Sequence, residues 1–110
     1  MSLRESITAE VLTWPRVSTH PHRFGGTEYR LGGREIGHLH GDRLLDVPFP
    51  RPVRDELVAA GQASAHHLLP ESGWVSFRPR GDGDREAVLA LLRRSYDLAV
   101  EQRARREERG

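Results

Sequence analysis

Two glycine-bearing turns fix the layout of the middle of this chain. Gly32-Gly33 and Gly41-Asp42, with or without Arg43, divide residues 27–49 into three runs of strand length: Thr27–Leu31, Arg34–His40 and Leu44–Phe49. Paired glycines reach the positive φ angles that two-residue hairpin loops require, so the first two runs pair antiparallel. The second turn sends the third run back alongside the second. A three-stranded meander results, and one of its faces needs an apolar cover.

The flanking segments supply that cover. Ser2 and Glu5 have the spacing of a capping box, and Leu3, Ile7, Val11 and Trp14 then form one apolar helical stripe that Pro15 ends. Arg16–Arg23 reads as a loop that exposes His20 and His22 around Pro21. Pro48 and Pro50 close the meander. Pro52 then opens a short helix, Val53–Ala60, with Gly61 as its left-handed cap. Ala65–Leu69 and Trp74–Arg78 read as two further strands around the turn Pro70–Gly73.

On the last and longest element Val88, Leu91, Leu92, Ser95, Tyr96 and Ala99 repeat at helical spacing. Beyond Val100 Glu and Arg mix without an apolar period, so the end of this helix is expected to fray. The element order α-βββ-α-ββ-α predicts an α+β fold, an antiparallel sheet of about five strands with helices packed on one face. Residues 1–110 make one domain, with its core over residues 3–100 and a frayed tail over 101–110.

Composition removes several classes of function. No apolar run approaches the ~20 residues that cross a bilayer, and residues 1–15 carry no apolar stretch of the signal-peptide kind. A cytoplasmic location without membrane attachment is therefore expected. Without cysteine there is no disulfide framework, no thiolate nucleophile and no Cys-rich zinc site. All 17 basic residues are arginine, and asparagine is missing along with lysine, a bias that a high-GC genome explains by itself. A formal net charge of +1 gives no field to steer a polyanion, so composition does not select nucleic acid as a partner.

The chemistry concentrates in the second strand. His38 and His40 lie two residues apart, so an extended backbone points both imidazoles to one side, about 6.5–7 Å apart. Counting pairs across Gly32-Gly33 puts Thr27, Tyr29 and Leu31 on one face with Ile36 and His38. Glu28, Arg30 and Glu35 fall on the opposite, solvent face. A two-residue second turn sets His38 opposite Leu45, and a three-residue Gly-Asp-Arg turn sets it opposite Asp46. His66 or His67 could add a third imidazole, since adjacent strand residues face opposite sides, and Asp46 could add a carboxylate. Trp74 reads either as a pocket wall or as a half-buried core residue. Three readings follow for the histidines: a hydrogen-bonded core residue, a metal-free polar pocket, or a metal site.

The same residues carry a resemblance. Arg34-Glu35-Ile36-x-His38-x-His40, a small helix, Gly61-x-x-x-x-His66-x-Leu68, Trp74 and the Leu91–Tyr96 helix together resemble the luciferase-domain family over residues 24–99. That family includes the fungal luciferases and many small bacterial proteins of unknown role. Its fungal members oxidise a hydroxylated pyranone with O2, without flavin or metal. The resemblance thus implies a pocket lined by His38, His40 and His66, no cofactor, and a histidine base acting on an acidic enol that O2 then attacks. His67 stands where the family's His-Pro-Leu match has proline. More loosely, the Trp74 strand with the Ser95-Tyr96-Asp97 helix is similar to the MmcQ/YjbR-like small domains, some of which are proposed to bind DNA.

Residues and resemblance together predict a small-molecule pocket. His38, His40 and His66 are its catalytic groups, with Asp46, His67 and Trp74 against an enolic or phenolic substrate. The alternative for the site is one divalent metal ion on His38, His40 and His66. The alternative for the whole chain is a non-enzymatic module that binds nucleic acid, through Arg30, Arg93 and Arg94, or a protein partner.

Overall fold

A computed structural model describes residues 1–109. The elements run α1 (Leu3–Val11), β1 (Val17–His22), β2 (Gly26–Leu31), β3 (Arg34–His40), β4 (Leu44–Val47), α2 (Arg51–Ala59), β5 (Ser64–Ala65), β6 (Val75–Phe77) and α3 (Arg85–Arg109). All neighbouring strands pair antiparallel in one sheet of order β1-β2-β3-β4-β6-β5. The expected α+β fold is present, with one strand more than expected.

Local chemistry sets each boundary. Ser2 Oγ accepts the Glu5 N–H and Glu5 accepts the Ser2 N–H, both at 3.0 Å, which starts α1. Pro52 occupies the first turn of α2, and Gly61 follows that helix with φ +73°. The second hairpin uses the three-residue turn, so His38 stands opposite Asp46 and His40 opposite Leu44.

The sixth strand is β1, in the segment that reads as a loop in sequence. Pro21 disguises it. Proline donates no ladder hydrogen bond, but β1 is the sheet's edge strand, where one face of the backbone pairs with nothing. The strand expected over Ala65–Leu69 is shorter and stops at Ala65. Its continuation is captured by His66, whose Nδ1 accepts the backbone N–H groups of both Leu68 and Leu69 at 3.1 Å. These donors are thereby withdrawn from any ladder.

The helix α3 also departs from expectation, running to Arg109 instead of fraying after Val100. Arg103–Glu107 and Arg105–Glu101 pair one turn apart at 3.6 and 4.0 Å, and the Arg34 side chain reaches across to Gln102. Strong helix formers with i,i+4 pairs sustain a helix without an apolar stripe.

One hydrophobic core lies between the sheet and the helices. Tyr29, Ile36, Leu39, Leu45, Val47 and Val75 project from the strands onto Ile7 and Val11 of α1 and Val88 and Leu92 of α3, all fully buried. The Tyr29 hydroxyl finds Thr8 Oγ1 at 2.7 Å, which satisfies its polar end. Trp14 packs on Tyr96, and the Arg93 guanidinium lies over both rings.

A bulge decides what the other face carries. Tyr29 pairs with Gly37 but Arg30 pairs with Glu35, leaving Ile36 as an extra residue in β3. Ile36 and Gly37 both turn toward the helices, and the alternation restarts one residue late. His38 therefore leaves the face of Tyr29, Leu31 and Ile36, where simple counting placed it. It joins Glu28, Arg30 and Glu35 instead. This face is not bare solvent, as expected, but carries the cluster described next. Glycine is required at the bulge, because a Cβ on Gly37 would meet Leu92 Cδ2 at 2.6 Å.

Candidate functional site: a histidine and carboxylate cluster

The cluster is organised around Asp46, whose side chain is 1% exposed. Its Oδ1 accepts the Ser76 hydroxyl at 2.6 Å, which β6 places directly opposite. Its Oδ2 lies 3.1 Å from His38 Nε2 and 3.4 Å from His67 Nε2. His40 Nε2 and His66 Nε2 approach the same carboxylate to 3.6 Å. Four imidazoles thus converge on one buried carboxylate, two from β3 and two from the loop after β5.

A second layer orients these rings. Glu35 holds His38 from the other side, with Oε2 2.6 Å from Nδ1. His22, at the end of β1, stacks on His38 with ring centroids 3.8 Å apart and 16° between planes. The His22 Nδ1 is 2.9 Å from Glu28 Oε1, and Glu28 also receives Arg30. Trp74 lies against His38 and His66, with centroids 5.5 and 5.9 Å away.

The protonation pattern follows from these contacts. Burial opposes a charge on His38, but hydrogen bonds and charge from Asp46 and Glu35 prevail and raise its pKa to about 9. Burial would also raise Asp46, yet the hydrogen bonds from His38 and Ser76 hold its carboxyl well below the usual range. For His40, burial and then the neighbouring His38 charge lower the pKa, outweighing Asp46. His66 is lowered by burial against the pull of Asp46. At neutral pH the centre is an imidazolium between two carboxylates, flanked by neutral His40 and His66.

The two neutral rings differ in what they can do. His66 Nδ1 accepts two backbone N–H groups, so its single ring proton sits on Nε2 and points at Asp46. His66 is therefore a donor. His40 makes no hydrogen bond among the described residues, and its side chain is 29% exposed.

Asp46, Glu35, Trp74 and the five histidines face one cavity of about 480 Å³. Phe24, Leu68 and Leu69 form its apolar mouth and are 96%, 74% and 54% exposed. Phe24 is held there with φ 58° and ψ 38°, a left-handed conformation that bulky side chains rarely adopt.

The structure brings together all six residues singled out from sequence: His38, His40, Asp46, His66, His67 and Trp74. It adds three that sequence reasoning passed over. His22 belongs to the strand hidden by Pro21, and Glu28 and Glu35 to the face assigned to solvent. The alternation of Ser18, His20 and His22 was the available signal for the first. Nothing local announces the bulge that recruits the other two.

A cavity lined by histidines on the sheet face away from the helices defines a small α+β domain with a polar pocket. A family model for the luciferase domain matches residues 33–95, more than half of the chain, and the chain belongs to that family. Comparisons with curated proteins and with solved structures each gave no match. Nothing among them supports the looser likeness to MmcQ/YjbR-like domains. No helix of the described residues is long and apolar enough to cross a membrane.

Proposed function

We propose that the cavity binds a small enolic or phenolic compound, ionises it and exposes the anion to O2, without flavin. The observation that carries this reading is the geometry of His40, a hydrogen-bond-free imidazole in the same cavity as the buried Asp46–His38–Glu35 array. The O–H proton passes to His40, and the His38 imidazolium faces the negative oxygen that remains. An electron then passes from the enolate to O2, and the resulting radical pair joins through a new C–O bond to give a peroxide anion. Membership of the luciferase-domain family supports this chemistry, since the resemblance implies it for the fungal members. The apolar mouth suits the ring of such a compound.

The test is a bound chromophore. A nitrophenol or hydroxypyranone mixed with the protein near its own solution pKa is expected to show the anion's absorbance. His40→Ala is expected to bind it in neutral form. A ligand set that produces neither binding nor spectral change in the folded protein would overturn the reading.

The nucleic-acid reading has less support. Arg30 is bound to Glu28, Arg93 to Asp97 and Arg94 to Glu56, so each of the three named arginines already has a carboxylate partner.

A further inference from the structure

We propose that His22, His38 and His40 form a binding site for one divalent transition-metal ion, beside the Asp46 carboxylate that lies 3.1 Å from His38 Nε2 and 3.6 Å from His40 Nε2. One ring nitrogen from each histidine lies within 4.8 Å of those of the other two. Ligands about 2.1 Å from a tetrahedral ion sit roughly 3.4 Å apart, so the distances are close to those of a site, and the His22 ring must turn out of its stack on His38 to aim its lone pair at the ion. The side chains that must move most freely, His22 and His40, are the more exposed ones at 20% and 29%.

A second observation is the way the rings are held. Metal-ligating histidines commonly donate their other ring N–H to a carboxylate, which fixes the tautomer and aims the remaining lone pair. Two of these three rings already have that partner: His22 Nδ1 on Glu28 and His38 Nδ1 on Glu35. For His22 this leaves Nε2 to the ion, whereas His38 Nε2, bonded to Asp46 at 3.1 Å, becomes a ligand by giving up its proton. Charge points the same way. Glu28, Glu35 and Asp46 converge here, and Arg30 is the only guanidinium in contact with any of them among the described residues. Imidazole ligands select zinc, cobalt, copper or iron over magnesium and calcium.

His66 does not belong to this ligand set, although the sequence suggests it. Its Nδ1 accepts two backbone N–H groups, so Nε2 keeps its proton and has no lone pair to offer. The inference goes beyond the proposed function, because ion binding needs no organic ligand. With an ion in place the His38 Nε2 proton goes to solvent. His40 becomes a ligand, so the proton transfer to His40 described above belongs to the ion-free protein.

The test is titration of the chelator-treated full chain with Co2+ alone, read by visible absorption. Saturation at one equivalent is expected, with the intense bands of a four- or five-coordinate site. His22→Ala and His40→Ala are expected to lose those bands. Glu28→Gln and Glu35→Gln should weaken affinity about 10–100-fold by releasing the rings they orient. His20→Ala should change nothing, because His20 bonds to Ser18 outside the triad. Circular dichroism of each variant separates lost binding from lost fold. Only the weak spectrum of the aquo ion in the folded wild type, or an affinity unchanged in His22→Ala, would overturn the metal site. The chromophore experiment on the same chelator-treated protein reads the enol pocket separately, so either idea can fail alone.

Discussion

Glu35 and His38 meet at 2.6 Å although they lie three residues apart on one strand. Positions i and i+3 of a regular strand face opposite sides. The Ile36–Gly37 bulge supplies the extra step, and the imidazolium is clamped between Glu35 and Asp46 as a result.

That clamp has a pH signature. In chelator-treated protein the His38 pKa is raised from 6.5 to about 9. A raised pKa stabilises the fold fully below the unfolded value, and the contribution is lost as pH rises through the folded one. Stability is expected to fall between about pH 6.5 and 9, and Glu35→Gln should move the folded-state limit downward. NMR titration of the His38 ring, beside urea unfolding across that range, measures both. A flat stability profile with a ring titrating near 6.5 would contradict the clamp.

Asp46→Asn keeps an oxygen for Ser76 but removes the charge that holds His38. Breaking a buried ion pair from one side costs about 3–5 kcal/mol, and urea denaturation of this variant should show a loss of that order. The wild type should also lose the Asp46 contribution as pH falls below about 4, because its carboxyl is depressed in the folded state. A loss under about 1 kcal/mol in the variant would show that the cluster hardly supports the fold.

Gly37→Ala tests the bulge. Its methyl would lie 2.6 Å from Leu92 Cδ2 and 3.2 Å from the Asp46 carbonyl oxygen. Overpacking of this kind costs about 1–3 kcal/mol. The His38 ring should shift as well, since it is the first side chain past the bulge. Unchanged stability with an unchanged His38 resonance would mean that the bulge relaxes without strain.

Phe24→Asn should separate stability from binding. Asparagine tolerates the left-handed conformation, so relief of the strain at Phe24 is expected to raise the unfolding free energy by up to ~1 kcal/mol. The same change removes an apolar wall from the cavity mouth and should weaken phenolic ligands several-fold in a fluorescence titration. A variant that binds more tightly would assign the mouth no part in recognition.

Much of this arrangement was legible in the residues. The Gly32-Gly33 hairpin, the Ser2–Glu5 cap and the α3 stripe are local signals, and each forms where its side chains require. His38, His40 and Asp46 fall together because one turn of three residues settles their register. What stayed hidden depends on distant partners. Pro21 is acceptable in β1 only because that strand is an edge, which is a property of the whole sheet. The bulge seats Gly37 against Leu92, more than fifty residues away, and without it the faces of β3 are misassigned. His66 ends β5 by a side-chain contact that no strand propensity encodes.

The sheet keeps its two jobs on opposite sides. Leu39 and Leu45 look toward the helices while their neighbours His38, His40 and Asp46 look into the cavity. A substitution at Leu39 or Leu45 is therefore filtered by folding, and one at His40 mainly by chemistry. Residues such as His40 and His67, which hold up nothing in the core, form a surface on which new reactivity can be tried while the architecture beneath it stays in place. The chain is in this sense an evolvable platform, and the two-sided β3 strand is where inheritance and innovation meet.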